Sequence, residues 1–139
     1  MSTFTLTLLA AEKPFYTGAC ESLEFPAIDG QYGVMAHHRD MIAAVMPGVL
    51  RFRTPDGEWH RAAVSEGIVK VENNDVLVLV DTAEKPEEID AVRAARAAEE
   101  AKDALLHQQS IRDFRIARAE LARAVGRLKA KGKTPINDA

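Results

Sequence analysis

The chain has 139 residues, the length of one medium domain or of a domain with an appendage. Its composition, 47% hydrophobic and 28% charged, is ordinary for a soluble globular protein, and no apolar run approaches the roughly 20 residues of a membrane-spanning helix. The single cysteine, Cys20, excludes an internal disulfide and suits a reducing compartment, so we expect a buried structural thiol.

The net charge of −3 is distributed unevenly along the chain. Residues 1–85 carry seven Lys and Arg against twelve Asp and Glu, whereas residues 86–139 carry eleven against nine. A basic helix is usually a solvated face, but it also suits an acidic partner, a phosphate ligand, nucleic acid or a membrane surface. The basic residues of the last segment include Arg112, Arg115, Arg118, Arg123, Arg127, Lys129, Lys131 and Lys133.

Strand patterns separated by turn signals fill the first 85 residues. Residues 4–9 alternate apolar side chains with Thr, and residues 20–25 alternate again as one strand. Turn residues at 54–57 (Thr-Pro-Asp-Gly) and at 73–74 (Asn-Asn) predict two hairpins. Short strands with repeated turns and no βαβ alternation predict an antiparallel β-sandwich or barrel.

Helical periodicity marks the last third of the chain. Pro86 suits the first position of a helix, and the acidic residues at 87, 88 and 90 suit its N-terminus. Ser110 and Asp113 form a capping-box pattern for a second helix, which Gly132 and Pro135 end. The apolar stripes of the two helices are Ala94, Ala98, Ala101 and Leu105, and then Phe114, Ala117, Leu121, Ala124 and Leu128.

The short connection between these helices predicts an antiparallel hairpin over residues 86–139, following a β domain over residues 1–85. Its seam is mostly alanine, which buries little area per residue at roughly 25 cal/mol per Å². Two interpretations therefore stay open. The hairpin is folded permanently onto the β domain, or it is a part that opens.

Motifs for catalysis and metal binding are not found in the sequence. The adjacent pair His37-His38 has no cysteine or carboxylate at the spacing of a metal site. The sequence contains no nucleophile elbow, no P-loop and no dinucleotide-binding glycine motif. We therefore expect no catalytic residue and no metal ligand.

Several segments, in their order along the chain, resemble the epsilon subunit of the F-type ATP synthase. They are Phe4-Thr-Leu-Thr-Leu, residues 16–23 (Tyr-Thr-Gly-Ala-Cys-Glu-Ser-Leu), residues 30–35 with His38, residues 47–52, residues 67–71, residues 74–84 and Ile89-Asp90-Ala-Val-Arg93-Ala94. The last matches the Ile/Leu-Asp-x-x-Arg-Ala motif of that family.

Two segments depart from the family pattern. Residues 36–40 read Ala-His-His-Arg-Asp, where the family usually has Pro-x-His-Ala-Pro, and Glu66-Gly67 stands where it usually has Gly-Gly. We expect the first departure to alter a surface loop that faces partners. We expect the second to alter a bulge or a close backbone approach.

The resemblance implies an N-terminal antiparallel β-sandwich with a C-terminal two-helix hairpin, in a non-catalytic rotor subunit of the central stalk. Residues 1–85 would bind the gamma subunit and the ring of c subunits. Residues 86–139 would rise towards the catalytic beta and alpha subunits and inhibit ATP hydrolysis. The chain would couple proton translocation to ATP synthesis at the cytoplasmic face of the membrane, associated with it only through the complex. The inhibitory residues would be Arg112, Arg115, Arg118, Arg123 and Arg127.

The resemblance also raises a regulatory ATP, although no cofactor is required. Arg123 and Arg127 are four residues apart, so they share a helix face and could bind phosphates together. Glu100, however, stands where nucleotide-binding members place a further arginine, and its carboxylate would repel phosphate. Alternatively, Asp90 and Arg93 only stabilise the helix start. The matching residues are Glu84, Ile89, Asp90, Arg93, Ala94, Arg123 and Arg127.

Two other functions fit the same features less closely. One is a stand-alone nucleotide-sensing regulatory module, and the other is an arginine-rich adaptor that binds nucleic acid. Nucleic-acid binding would depend strongly on salt, and the acidic β domain argues against it. We therefore expect no nucleic-acid partner.

Overall fold

Two five-stranded sheets pack face to face and two helices follow in a computed structural model, which describes residues 2–107 and 111–132. The predicted cap at Ser110, the stop at Pro135 and the basic residue Lys133 lie outside the described residues. The helices are α1 (Ala91–Leu106) and α2 (Ile111–Ala130). The strands are β1 (Phe4–Ala10), β2 (Pro14–Cys20), β3 (Ser22–Ala27), β4 (Gly30–Met35), β5 (Met41–Val45), β6 (Gly48–Arg53), β7 (Trp59–Val64), β8 (Gly67–Glu72), β9 (Asp75–Val80) and β10 (Ala83–Glu84).

The strand order is β2-β1-β9-β8-β5 in the first sheet and β10-β7-β6-β3-β4 in the second. The predicted sandwich is confirmed, with one exception to antiparallel pairing. β1 and β9 run parallel, from Thr5 opposite Asp75 to Ala10 opposite Val80. These strands are distant in sequence, so no hairpin turn fixes their relative direction. Alternate side chains of both sheets meet in the core, where the largest fully buried ones include Leu6, Leu8, Leu23, Phe25, Leu50 and Phe52.

The segment 20–25, predicted as one alternating strand, instead contains the point where the chain passes from the first sheet to the second. β2 ends at Cys20 in the first sheet, and β3 begins at Ser22 in the second. Glu21, between them, is buried and its carboxylate lies 3.1 Å from the guanidinium of Arg53. Cys20 therefore points into the core with Leu23, as the predicted buried thiol. Burial raises the pKa of the Cys20 thiol above its ordinary value, which keeps it protonated and unreactive.

Both predicted hairpins form. Asn73 and Asn74 have φ of 52° and 64°, the left-handed conformation that a two-residue turn needs, and they join β8 to β9. Gly57, at φ 86°, lies in the turn between β6 and β7, and its N–H donates to the Thr54 carbonyl at 2.9 Å. Local turn chemistry therefore sets the register of both hairpins.

The first helix begins later than Pro86, which corrects the prediction. Residues 86–88 form a single 3₁₀ turn, and Ile89 is extended. Ile89 is buried in a small cluster with Ala63 and Ala130, so tertiary packing holds it out of the helix. α1 begins only after Asp90, whose carboxylate accepts from the Arg93 N–H at 3.1 Å. The first turn of α1 therefore contains no acidic residue. The acidic residues at 87, 88 and 90, which were predicted to lie in the helix N-terminus, precede it.

The two helices form the predicted antiparallel pair. Ala94 and Ala98, early in α1, share one buried cluster with Ala124 and Leu128, late in α2. Leu121 packs against the same cluster and is partly buried. The predicted alanine seam is therefore confirmed along most of its length. At the far end of the hairpin, Phe114 is 38% exposed.

The hairpin lies folded on the second sheet, with α2 over β6 and β7. Gly126 approaches the backbone of Gly48 closely, because a Cβ on Gly126 would stand 3.0 Å from the Gly48 Cα. Near the end of α2, Ala130 is fully buried and belongs to the cluster of Ala63 and Ile89. The two glycines allow a helix backbone to rest almost directly on a strand backbone.

Candidate functional site between the hairpin and the sandwich

A cavity of about 410 Å³ opens where the start of α1, the end of α2 and the linker before α1 meet. Its volume lies within the roughly 300–1,000 Å³ of small-molecule sites. Each wall comes from a feature of the local sequence: β10 ends in the linker, Asp90 starts α1, and the alanine seam brings α2 alongside. The lining residues are Glu84, Glu88, Asp90, Arg93, Ala94, Ala97 and Arg127.

Five of the seven predicted nucleotide residues meet in this cavity, and two do not. Ile89 is buried against the sandwich instead of lining the cavity. Arg123 lies beside the cavity, in a shallow groove with Ser65 and Thr82. The five that meet are Glu84, Asp90, Arg93, Ala94 and Arg127.

Two lining residues, Glu88 and Ala97, were not predicted from the sequence. Ala97 follows Ala94 by three residues, so helical periodicity could have identified it. Glu88 was interpreted only as a residue near a helix start. Its carboxylate accepts from the Lys85 N–H at 2.9 Å, and this hydrogen bond, with the nearby charges of Lys13 and Lys85, lowers the pKa of Glu88. Glu88 is therefore a carboxylate at neutral pH.

Three contacts join α2 and Lys131, the residue that follows it, to the sandwich and the linker. Arg127 Nε donates to Glu84 Oε1 at 2.5 Å, and Arg123 Nη1 lies 3.5 Å from Glu66 Oε1. Lys131 Nζ donates to the Pro86 carbonyl oxygen at 2.9 Å. Both arginines predicted to bind phosphate therefore already face carboxylates of the same chain.

The cavity is more acidic than basic. Glu84, Glu88 and Asp90 line it against the guanidinium groups of Arg93 and Arg127. A phosphate would have to displace Glu84 from Arg127, and the Asp90 carboxylate already caps α1. Among residues 2–107 and 111–132, no cluster of three or more side chains suits a metal ion. The arrangement can hold an anion through two guanidinium groups, at the cost of breaking an ion pair.

A second cavity, of about 580 Å³, lies on the other side of the linker. Its lining includes Lys85 and Pro86 together with aromatic residues from different strands. Tyr16 and Phe52 lie 4.7 Å apart between ring centroids, and Phe52 stacks on His60 at 5.2 Å. Phe52 and His60 are paired residues of β6 and β7, whereas Tyr16 belongs to the other sheet, so tertiary packing forms this cavity and no sequence motif marks it.

Both parts of the chain match models of one protein family. Residues 3–86 match the model described as "ATP synthase, Delta/Epsilon chain, beta-sandwich domain", and residues 87–132 match "ATP synthase, Delta/Epsilon chain, long alpha-helix domain". The chain belongs to the ATP synthase epsilon-chain family. The matches span the sandwich, the linker and both helices.

Relatives at full length support the same family. The ATP synthase epsilon chain of Ruminiclostridium cellulolyticum is 38% identical over 133 residues, covering 96% of this chain and 98% of the relative. That of Caldicellulosiruptor bescii is 37% identical over 129 residues, covering 93% of each. That of Nitrosococcus oceani is 34% identical over 128 residues, covering 92% of this chain and 91% of the relative.

Two solved structures share the fold. A chain of the Euglena gracilis mitochondrial ATP synthase, OSCP/F1/c-ring, superposes with a TM-score of 0.78 at 22% identity, covering 88% of this chain and 77% of its own. A chain of the Tetrahymena thermophila mitochondrial ATP synthase central stalk/c-ring gives 0.68 at 14% identity, covering 91% and 95%. At these identities the likeness concerns the fold alone.

The five arginines proposed as inhibitory for this epsilon-family chain fall into two groups. Arg112, Arg115 and Arg118 are exposed in the first half of α2. Arg123 and Arg127 are half-buried in the second half and pair with Glu66 and Glu84. The predicted set therefore contains residues that face solvent and residues that attach the helix to the sandwich.

The first departure from the family pattern forms a loop anchored to the β8–β9 turn. The Asn73 N–H donates to Asp40 Oδ1 at 3.1 Å, and the His37 N–H donates to Asn74 Oδ1 at 2.7 Å. His38 lies within hydrogen-bond distance of the Tyr32 hydroxyl, at 3.2 Å. Of these residues Asp40 departs from the family pattern, and its carboxylate provides a contact of its own to the β8–β9 turn.

No helix within the described residues has the length and apolar character to cross a bilayer.

Proposed function

We propose that this chain is a non-catalytic rotor subunit in the central stalk of the F-type ATP synthase. The main support for this proposal is the family match over both parts of the chain, together with epsilon-chain relatives that align over more than nine-tenths of it. In this role the chain couples proton translocation to ATP synthesis and restrains hydrolysis. It associates with the cytoplasmic face of the membrane only through the complex.

The sandwich, residues 1–85, binds the gamma subunit and the c-ring in this proposal. The outer face of the first sheet supports it, because the two described helices pack on the second sheet and the outer face of the first carries exposed apolar side chains. Ile68 lies opposite Leu79 in the register of β8 and β9, and Ile42 follows on β5. These side chains are 45%, 38% and 73% exposed, a pattern typical of a protein-binding surface.

The hairpin, residues 86–139, restrains hydrolysis by rising towards the beta and alpha subunits. Its docked form is held on the sandwich by the small cluster of Ala63, Ile89 and Ala130 and by a few ion pairs, and so limited an interface favours two alternative positions. Only three of the five arginines are exposed, which leaves a small basic surface for nucleic acid and favours a local acidic partner.

A chain ending at Lys85 should fold and still assemble with gamma and the c-ring. The core lies between the sheets and contains no residue of either helix. Circular dichroism should show β structure with a cooperative unfolding transition, and affinity purification from the organism's own membranes should recover both partners. An unfolded truncated chain, or a folded one without partners, would contradict the division of roles.

We propose in addition that ATP occupies the cavity between hairpin and sandwich as a regulatory ligand, held by Arg93 and Arg127. Because carboxylates already engage the arginines, we expect weak binding, with a Kd of about 1 mM or higher. A ligand that fits only the docked form stabilises that form by its differential affinity.

Calorimetric titration of the full chain with ATP tests this site. We expect weak saturable heat that the Arg127→Ala variant loses and the exposed α1 variant Arg96→Ala keeps. Trp59 lines the second cavity and is the single tryptophan, so its fluorescence reports binding there. If Arg127→Ala still gave binding heat and ATP changed the fluorescence of Trp59, ATP would bind in the second cavity, which would contradict this proposal.

A further inference from the structure

Glu66 is fixed in place by the backbone on both sides of it. The Asp81 N–H donates to the Glu66 carbonyl oxygen at 3.2 Å, and the Thr82 N–H donates to Ser65 Oγ at 2.7 Å. The next residue, Gly67, cannot carry a side chain, since its Cβ would stand 1.9 Å from the Leu79 carbonyl oxygen. The chain therefore enters β8 along a fixed path, and from this position the half-exposed Glu66 side chain reaches α2.

Arg123 is the residue that Glu66 meets there. Arg123 and Arg127 lie one turn apart on the same face of α2. Arg127 lines the ligand cavity, whereas Arg123 lies 3.5 Å from the Glu66 carboxylate and does not line it. Both arginines border the neighbouring groove together with Glu84. Arg123 thus lies beside the Glu66 carboxylate, just outside the lining of the cavity proposed for ATP.

We propose that Glu66 determines the nucleotide response of the hairpin, because its carboxylate occupies Arg123 in place of a phosphate. In the ATP-free chain it helps to hold α2 on the sandwich, and it makes Arg123 less available to the ligand. This inference rests on the proposed ATP site and identifies the residue that sets its affinity. The negative charge of Glu66 therefore has two opposite effects. Compared with a neutral residue at this position, it strengthens docking of α2 without ATP and weakens the affinity for ATP.

The test compares Glu66→Gln with the native chain by ATP calorimetry. The variant should bind ATP roughly two- to fivefold more tightly, the range expected for an exposed ion pair. Arg123→Ala in the Glu66→Gln background should remove the gain. Glu72→Gln is the matched control, because Glu72 ends β8, the strand that begins directly after Glu66, and its carboxylate lies 3.4 Å from Lys70 Nζ. The substitution changes the net charge equally. It should leave the affinity unchanged.

A second measurement follows docking without ATP. Urea unfolding of the native chain, Glu66→Gln, Arg123→Ala and the double variant should give a favourable coupling between the two residues that declines with added salt.

The outcomes separate this inference from the proposed ATP site. Equal ATP affinity of the native chain and Glu66→Gln would overturn the role of Glu66 and leave the site standing. A gain that persists without Arg123, or that Glu72→Gln reproduces, would also overturn it. No ATP heat in any variant would overturn the site itself, and with it the role of Glu66. Absence of coupling in urea would overturn the claim that Glu66 holds α2.

Discussion

Replacing the exposed arginines of α2, in the triple variant R112A/R115A/R118A, should raise ATP hydrolysis by the assembled complex about three- to tenfold. These side chains face solvent while the hairpin is docked, so they are free to contact an acidic surface once it rises. Each exposed pair contributes only about 0–1 kcal/mol, so three changes are needed for an effect near the 1.4 kcal/mol of a tenfold change.

The variant R123A/R127A should have the opposite effect and lower hydrolysis. Arg127 donates to Glu84, and Arg123 lies beside Glu66, so their loss frees the hairpin to rise and inhibit. R96A, on the exposed face of α1, is the control for charge alone. Hydrolysis rates of reconstituted complexes, with subunit content checked by gel, provide the measurement. An equal rise in both variants would show that the five arginines act as one set.

The variant Gly126→Val should lift the hairpin from the sandwich while the sandwich stays folded. A Cβ at this position would lie 3.0 Å from the Gly48 Cα and 3.2 Å from the Gly48 N, both backbone atoms that cannot turn aside. Overpacking of this kind costs about 1–3 kcal/mol. That cost is large beside the small cluster of Ala63, Ile89 and Ala130 and the few ion pairs that hold the hairpin on the sandwich, so the docked form should be lost.

Small-angle scattering of the isolated chain should show a larger radius of gyration for Gly126→Val, with β structure unchanged by circular dichroism. Lys129→Val is the matched control, because it introduces the same β-branched residue at an exposed position of α2. An unchanged radius for Gly126→Val would mean that the strand and helix adjust to each other. A larger radius for Lys129→Val would assign the effect to helix propensity.

Features encoded by neighbouring residues could be predicted from the sequence. The Asn73-Asn74 turn, the strands around it and the alanine stripes depend on local conformation and periodicity, and the structure contains them. The helix start could not be placed from local signals, because the burial of Ile89 against Ala63 overrides the preference of Pro86 for a helix N-terminus. The parallel pairing of β1 with β9 is likewise set by the whole sandwich.

The candidate site shows the same limit. The resemblance to the family predicts five of the seven residues that line the cavity. The ion pairs of Arg123 and Arg127 could not be predicted from the sequence, because Glu66 and Glu84 are brought to α2 only by strand pairing and helix docking. Glu66 departs from the family pattern in the sequence itself, yet its ion pair with Arg123 belongs to the tertiary structure.

The proposed role is tested most directly by ATP hydrolysis and ATP synthesis in membranes whose complexes contain either the full chain or the chain ending at Lys85. We expect the truncated chain to assemble, to support synthesis at close to the normal rate, and to raise hydrolysis severalfold. Unchanged hydrolysis with full assembly would contradict an inhibitory hairpin, and loss of synthesis would contradict a sandwich that suffices for coupling.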